Sequence, residues 1–170
     1  FASLGVLGLF FLNKKIFNKE IAILSCILTF LNPFFFGHMG TNPKDPIIFT
    51  ALIWTIYFFV KYIENLDKPR LKYLILMSVS IGFGTGIRLT FVALLLPLVL
   101  IWIYVVFQKK IKFISISRDL VFGSIIIVLL TIIAWPHIHD GNYELIFQVI
   151  KKSSTWLIGM KHGILNGSFY

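Results

Sequence analysis

The sequence is a succession of apolar runs, separated by short polar loops that carry most of the basic residues. Of its 170 residues, 58% are hydrophobic and 14% are charged, and the mean hydropathy is +0.88. Soluble domains are about 45–50% apolar and about 25% charged. The composition therefore predicts a polytopic membrane protein of the all-α class.

Six apolar segments are candidate membrane spans. They fall at about 1–12, 21–36, 47–63, 73–87, 91–107 and 120–135. Several are shorter than the ~20 residues that cross a bilayer comfortably, so their ends must extend into the flanking loops. We therefore predict a single domain, a transmembrane helical bundle of about six spans, followed by an external region at 136–170.

The external region has a helical pattern of its own. Apolar residues recur there at helical spacing: Leu145, Ile146, Val149, Ile150, Trp156 and Leu157. Lys151 and Lys152 lie towards the other side, which is typical of a helix in the membrane interface. A seventh span is not expected, because the polar run 151–155 interrupts the apolar one.

The positions of lysine and arginine predict the topology. Successive loops of a membrane protein lie on opposite sides of the membrane. If loop 13–20 is cytoplasmic, 11 of the 16 basic residues therefore lie on the cytoplasmic side. These are Lys14, Lys15, Lys19, Lys61, Lys68, Arg70, Lys72, Lys109, Lys110, Lys112 and Arg118. Such a bias follows the positive-inside rule and explains the net charge of +9, so no nucleic-acid partner is expected. Cys26, the single cysteine, offers neither a disulfide nor a cysteine-based zinc site.

The loop from Gly37 to Pro46 is the most polar run in the first half of the chain and is external in this topology. It contains His38, Asn42, Lys44 and Asp45. A structural interpretation is available, because Asp is a favoured N-cap and Pro46 suits the first turn of a helix. A structural role at the helix start and a role in a functional site are compatible, since an acid fixed at the start of a helix has a defined orientation.

Arg88 lies at a predicted membrane boundary, on the same face as this loop. A half-buried arginine there commonly marks a functional partner such as a phosphate, although it could also end a helix by snorkelling. The preceding glycines, Gly82, Gly84 and Gly86, are not a dinucleotide-binding fingerprint, because no strand precedes them. Small residues in a membrane helix usually serve close packing.

His137, His139 and Asp140 offer ligand-type side chains for a possible divalent metal. Because spacing specifies no further ligand, a polar external loop is the alternative interpretation.

Several of these segments resemble a family of membrane glycosyltransferases that use polyprenyl-phosphate sugars, with the C-type fold. The matching stretches are Pro33–His38, Asn42–Pro46, Gly82–Thr90, Trp135-Pro136, Trp156 and Asn166–Tyr170. The family includes protein O-mannosyltransferases and the aminoarabinose transferase of lipid A. The resemblance implies an internal fragment covering spans two to seven of a larger enzyme. Its catalytic base would then lie upstream of Phe1, and the family's arginine before Gly37 is replaced by phenylalanine.

The resemblance also implies a function and roles for individual residues. The enzyme would move a sugar from a polyprenyl- or dolichyl-phosphate donor to a glycan, lipid or protein acceptor on the external side, with inversion. Asp45 would be a second acidic element, Lys44 and Arg88 would bind the phosphate, and His38 and Asn42 would line the sugar pocket. The expected location is a bacterial inner membrane or the endoplasmic reticulum, where membrane lipids are partners. A transporter or lipid flippase subunit is the main alternative, and a non-catalytic scaffold is another.

Overall fold

The chain divides into two units, Phe1–Ala134 and Trp135–Tyr170. The computed structural model describes residues 1–35, 37, 42, 44–134 and 148, together with the backbone at 164, 165, 168 and 169. In the second unit, strands β1 (Ile164–Leu165) and β2 (Ser168–Phe169) pair antiparallel, a short ladder that the sequence did not predict. The predicted interfacial helix and the His137–Asp140 motif lie outside the described residues.

The first unit is helical, as predicted. Its helices are α1 (Ala2–Ile16), α2 (Lys19–Leu31), α3 (Lys44–Glu64), α4 (Leu71–Ile87), α5 (Phe91–Leu94), α6 (Leu96–Lys109) and α7 (Phe113–Ala134). The predicted break near Arg88 is confirmed, because α4 ends at Ile87 and Arg88 is its C-cap.

Two proline residues end or divide predicted segments. The segment predicted at 21–36 ends as a helix at Leu31, because Asn32 precedes Pro33 and takes an extended conformation. The segment predicted at 91–107 is divided at Leu95 into α5 and α6. Pro97, in the first turn of α6, has no N–H to continue the hydrogen-bond ladder from α5.

The segment predicted at 120–135 begins earlier in the structure, at Phe113. Residues 108–118 lie between two of the predicted spans, because they include several polar and basic residues. In the structure, Asp119 is buried inside the first turns of α7 and is paired with Arg70. The ion pair therefore makes an acid acceptable within an otherwise apolar helix.

By length and composition, α3 and α7 are the described helices able to cross a membrane, while α4 and α6 are apolar but shorter. The span count of six thus stays a prediction.

The distribution of side chains agrees with an apolar surrounding. Leu31 and Phe107 are 72% and 78% exposed, whereas Thr55 and Ser78 are each 1% exposed. An outer surface this apolar is typical of contact with lipid.

Helix α4 packs against both α3 and α7, and α1 packs against α3 and α2. Contacts at each end show the helix directions. At one end Lys15 of α1 pairs with Glu64 of α3 at 2.9 Å. At the other, the Thr50 hydroxyl donates to the Phe1 carbonyl at 2.8 Å. Helices α1 and α3 therefore run parallel.

We name the two ends of the bundle by their residues. The basic end carries Lys15, Glu64, Asp67, Arg70, Lys109, Lys110, Lys112 and Arg118. The Asp45 end carries Phe1, Asn32, Asn42, Asp45 and Arg88. The basic loops that the sequence assigned to one side of the membrane thus do meet at one end of the unit.

Glycines bring α4 and α7 together. A Cβ on Gly82 would lie 2.9 Å from the Ile127 carbonyl oxygen, and one on Gly86 would lie 2.5 Å from the Ala134 Cβ. The Thr131 hydroxyl also donates to the Gly82 carbonyl at 3.3 Å. Between helices in lipid, where apolar burial gains little, this close backbone approach is a main source of association.

A polar cluster joins the α3–α4 connection to α7 at the basic end. Asp119 accepts hydrogen bonds from the Tyr62 hydroxyl at 2.8 Å and from Arg70 Nε. Arg70 also donates to the Leu66 carbonyl and to the Ser115 hydroxyl. The side chains of Arg70 and Asp119 are 10% and 8% exposed. Three segments are therefore tied together by one buried ion pair.

The substitution Gly82→Ala should destabilise the unit by about 1–3 kcal/mol, because the new methyl group meets the backbone of α7 and not a flexible side chain. Thermal melting of the detergent-purified protein measures the effect. Gly37→Ala is the control, since a Cβ there meets nothing within 4 Å. Equal melting temperatures for the two variants would contradict the proposed packing.

Asp119→Ala should cost about 3–5 kcal/mol, because it leaves the Arg70 guanidinium buried without its partner. The double variant Arg70→Met, Asp119→Leu should lose much less, because neither charge remains. Asp67→Ala is the control: that carboxylate is 67% exposed and lies 3.7 Å from Lys109, so its loss should cost under about 1 kcal/mol. Melting curves that rank the double variant below Asp119→Ala would argue against this account.

Candidate functional site

Asp45 lies in the first turn of α3, at the Asp45 end of the bundle. The helix begins at Lys44, so Asp45 is not the N-cap that the sequence suggested. Asn42 stabilises the helix start instead, since its side-chain oxygen accepts a hydrogen bond from the Lys44 N–H at 3.3 Å. An acid in the first turn is favoured by the helix dipole. The position of Asp45 is therefore explained locally, and its side chain is held in place.

Asn42 holds one oxygen of the Asp45 carboxylate. Its Nδ2 donates to Asp45 Oδ2 at 2.9 Å, and the Asp45 N–H donates to the Asn42 carbonyl at 3.3 Å. The two predicted site residues thus form a compact turn in which side chain and backbone support each other. This arrangement orients the carboxylate relative to α3.

Arg88 faces the other oxygen of the same carboxylate. Its NH1 lies 4.0 Å from Asp45 Oδ1, and the two side chains are 57% and 35% exposed. An exposed pair at this distance contributes about 0–1 kcal/mol. The guanidinium can therefore bind another anion, such as a phosphate, at small cost.

The backbone of Arg88 is well fixed. Its N–H donates to the Gly84 carbonyl at 3.1 Å, and its own carbonyl accepts from the Phe91 N–H at 2.9 Å. Phe91 is 1% exposed and packs against Ala51 of α3 and Leu95. A Cβ on Gly84 would lie 2.8 Å from the Phe91 ring, so this glycine admits the ring. Arg88 is thereby anchored to the helix that carries Asp45.

A cavity of about 280 Å³ lies beside Asp45. It is lined by Asn32, Phe34, Phe35, Asp45, Pro46 and Phe49. The rings of Phe35 and Phe49 pack edge-on with centroids 5.0 Å apart, which joins the segment after α2 to the start of α3. A carboxylate at the wall of an aromatic cavity suits a sugar ring and its hydroxyl groups.

Of the other predicted site residues, the structure describes Lys44 and does not bring its side chain into this group. The Lys44 side chain is exposed, and only its backbone N–H contacts Asn42. His38 lies outside the described residues. Across the part of the chain that the structure describes, no three His, Cys, Asp or Glu side chains could hold a metal ion together.

Sequence reasoning missed the cluster of Arg70, Asp119 and Tyr62. It counted Arg70 only as a basic loop residue and did not single out Asp119. A signal was present, because Asp119 directly precedes a long apolar run and needs a partner to be buried there. The partner is 49 residues away in sequence, and no spacing rule identifies it.

Comparison with known proteins supports the resemblance. A family profile described as dolichyl-phosphate-mannose-protein mannosyltransferase matches residues 1–137. Curated proteins and solved structures give no match to the chain. The profile covers α1 to α7 and includes Asn42, Asp45 and Arg88. The chain therefore belongs to the dolichyl-phosphate-mannose-protein mannosyltransferase family, whose members are membrane glycosyltransferases that use dolichyl-phosphate sugar donors.

Proposed function

We propose that the Asp45 end of the bundle is part of the catalytic face of a sugar transferase with a polyprenyl- or dolichyl-phosphate donor. The acceptor is a hydroxyl or amine group on a protein, glycan or lipid at the external side of the membrane. The proposal rests chiefly on one observation. Asp45, oriented by Asn42, faces Arg88 beside a cavity, at the end of the bundle opposite the basic loops.

The reaction breaks the bond between the anomeric carbon and the phosphate oxygen and forms a bond from that carbon to the acceptor atom. The acceptor loses a proton to a carboxylate base. The polyprenyl phosphate leaves with both electrons of the broken bond, so negative charge develops on its oxygen. Cationic groups fixed near that oxygen stabilise the transition state.

Arg88 and Lys44 supply positive charge at this end. Arg88 has the geometry for two parallel hydrogen bonds to a phosphate, and Lys44, the residue before Asp45, acts as a point charge. Asn42 and His38 contribute to sugar binding. Asp45 orients the sugar and the arginine.

A transporter or flippase subunit is the alternative. Such proteins carry ionisable groups near the middle of the membrane. In residues 1–35 and 44–134, every Asp, Glu, Lys and Arg belongs to one end of the bundle or the other. This distribution favours chemistry at a membrane face over passage through the bundle.

Arg88→Ala in the full-length enzyme should lower the transfer rate about 10²–10³-fold, because a donor that stabilises the leaving phosphate is removed. Arg88→Lys should recover part of the loss by restoring the charge without the planar fork. The measurement is the transfer of labelled sugar from a polyprenyl-phosphate donor by purified protein. Arg118→Ala, at the basic end and 78% exposed, is the control and should keep full activity.

Asp45→Asn should also abolish most transfer, because a neutral amide replaces the carboxylate that orients the sugar. Asp67→Asn is the matched control at the basic end. Wild-type rates in both Asp45→Asn and Arg88→Ala would refute the site assignment. Substrate-dependent transport in vesicles without any sugar transfer would support the alternative.

A direct displacement on the anomeric carbon should invert its configuration. Nuclear magnetic resonance of the isolated product gives the anomeric coupling constant, and we expect the opposite anomer to that of the donor. Retention would indicate a covalent glycosyl-enzyme intermediate and would overturn the single-displacement mechanism.

A further inference from the structure

A second cavity, of about 510 Å³, is an apolar cleft between α6 and α7 with α3 and α4 as its floor. Side chains at its floor include Thr55, Leu74 and Ser78, and those at its rim include Leu96, Val99 and Leu120. Its lining is almost wholly carbon, unlike the cavity beside Asp45. The cleft therefore suits a hydrocarbon chain better than a sugar or a nucleotide.

The cleft opens sideways, through the outer surface of the bundle. At the floor, Thr55 and Ser78 are each 1% exposed. At the rim, Leu96 is 62% exposed, Val99 49% and Leu120 52%. In a membrane protein, such an opening faces the lipid chains, so a lipid can enter it without leaving the bilayer.

The length of the cleft matches one leaflet. Its lining runs from Asp119 to Ile127 on α7 and from Leu74 to Thr85 on α4. At a rise of 1.5 Å per residue, these stretches are about 12 Å and about 17 Å long. Half of the ~30 Å hydrocarbon core is ~15 Å. One acyl chain of a bilayer phospholipid therefore fills the cleft, while a long polyprenyl tail would extend beyond it.

Two lysines lie beyond the cleft lining at the basic end, Lys110 eight residues after Trp102 and Lys112 seven residues before Asp119. The linker between α6 and α7 is Lys110-Ile111-Lys112, in which Ile111 packs inward against the Tyr62 cluster. Both lysines are exposed, and neither ammonium group forms an ion pair within residues 44–134. The joint between the two helices that form the cleft thus presents uncompensated positive charge.

The nearest acids do not neutralise this linker, because Asp67 pairs with Lys109 and Asp119 pairs with Arg70. Directly after the linker, Phe113 and Ile114 are 84% and 80% exposed. Exposed apolar residues beside lysines are typical of a segment at a lipid headgroup layer. The positive charge of the linker therefore lies at headgroup depth, on the basic-end side of the apolar cleft.

We propose that this cleft holds an acyl chain of an anionic phospholipid, whose phosphate is bound by Lys110 and Lys112. The phosphate of this lipid would lie at the basic end, whereas the proposed donor phosphate binds at the Asp45 end, so the two phosphates occupy opposite ends of the bundle. The inference does not depend on the proposed sugar transfer, because its tests measure lipid binding alone.

Native mass spectrometry of the delipidated full-length protein tests the headgroup contact. Phosphatidylglycerol and phosphatidylcholine with identical acyl chains are added in turn, and we expect preferential retention of the anionic lipid. Each lysine near a membrane surface contributes about a five-fold increase in affinity for anionic lipid. Lys110→Gln with Lys112→Gln should therefore weaken retention of phosphatidylglycerol about 25-fold. Lys14→Gln with Lys19→Gln, on helices that do not line the cleft, should leave it unchanged.

A second pair of variants tests the cleft itself. Ser124 lines it, whereas the adjacent Ile125 is 52% exposed and does not. Ser124→Phe should fill the opening and abolish retention of phosphatidylglycerol. Ile125→Phe should leave that retention unchanged. Trp102 lines the cleft as well, so phosphatidylglycerol with brominated acyl chains should quench a fluorescence component that Trp102→Phe lacks.

Equal retention of the two phospholipids, or wild-type retention by the double lysine variant, would overturn the proposal. Stoichiometric displacement of phosphatidylglycerol by added polyprenyl phosphate would also overturn it, because the cleft would then belong to the donor. The lysine variants alter only exposed side chains, so they give an answer even if Ser124→Phe fails to fold.

Discussion

The close contact between α4 and α7 is the constraint on which the rest of this unit depends. Apolar side chains gain little by leaving lipid for one another, so helices must associate through near-backbone contact and hydrogen bonds. Gly82 and Gly86 allow that contact, and the Arg70–Asp119 ion pair ties the same two helices at the basic end. With α4 held in this way, α3 packs on its other side and α1 packs on α3.

The position of α4 has direct consequences for the candidate site. Arg88 follows the last residue of this helix, and the turn after it is pinned to α3 by Phe91. Asp45 lies at the start of α3, so the two packed helices bring the arginine and the acid to one end. The Gly82–Gly86 segment thus serves packing and site geometry together. Gly82 and Gly86 face α7, and Gly84 admits Phe91.

The two ends of the bundle hold their charges in different ways. At the basic end, Arg70 and Asp119 are buried and satisfied by each other and by their neighbours, an arrangement suited to stability. At the Asp45 end, Arg88 is 57% exposed and lies 4.0 Å from Asp45, so its guanidinium can exchange partners at little cost. This contrast separates a structural ion pair from one available for binding a substrate phosphate. The lysines at 110 and 112 resemble the second kind, since they too are exposed.

The sequence by itself determined the all-α class, the alternation of basic and polar loops, and the identity of Asn42, Asp45 and Arg88 as candidates. These are consequences of hydropathy, charge and local motifs, which act over a few residues and can be counted along the chain.

Helix ends were less predictable. The Asn32–Pro33 and Pro97 interruptions had visible causes, but the early start of α7 depended on a distant partner for Asp119. Only the tertiary structure decided that Arg70 meets Asp119, that Arg88 meets Asp45, and that α6 and α7 diverge to leave an apolar cleft. Each of these depends on how closely two helices approach, and that distance is set by which faces their small residues occupy when packed.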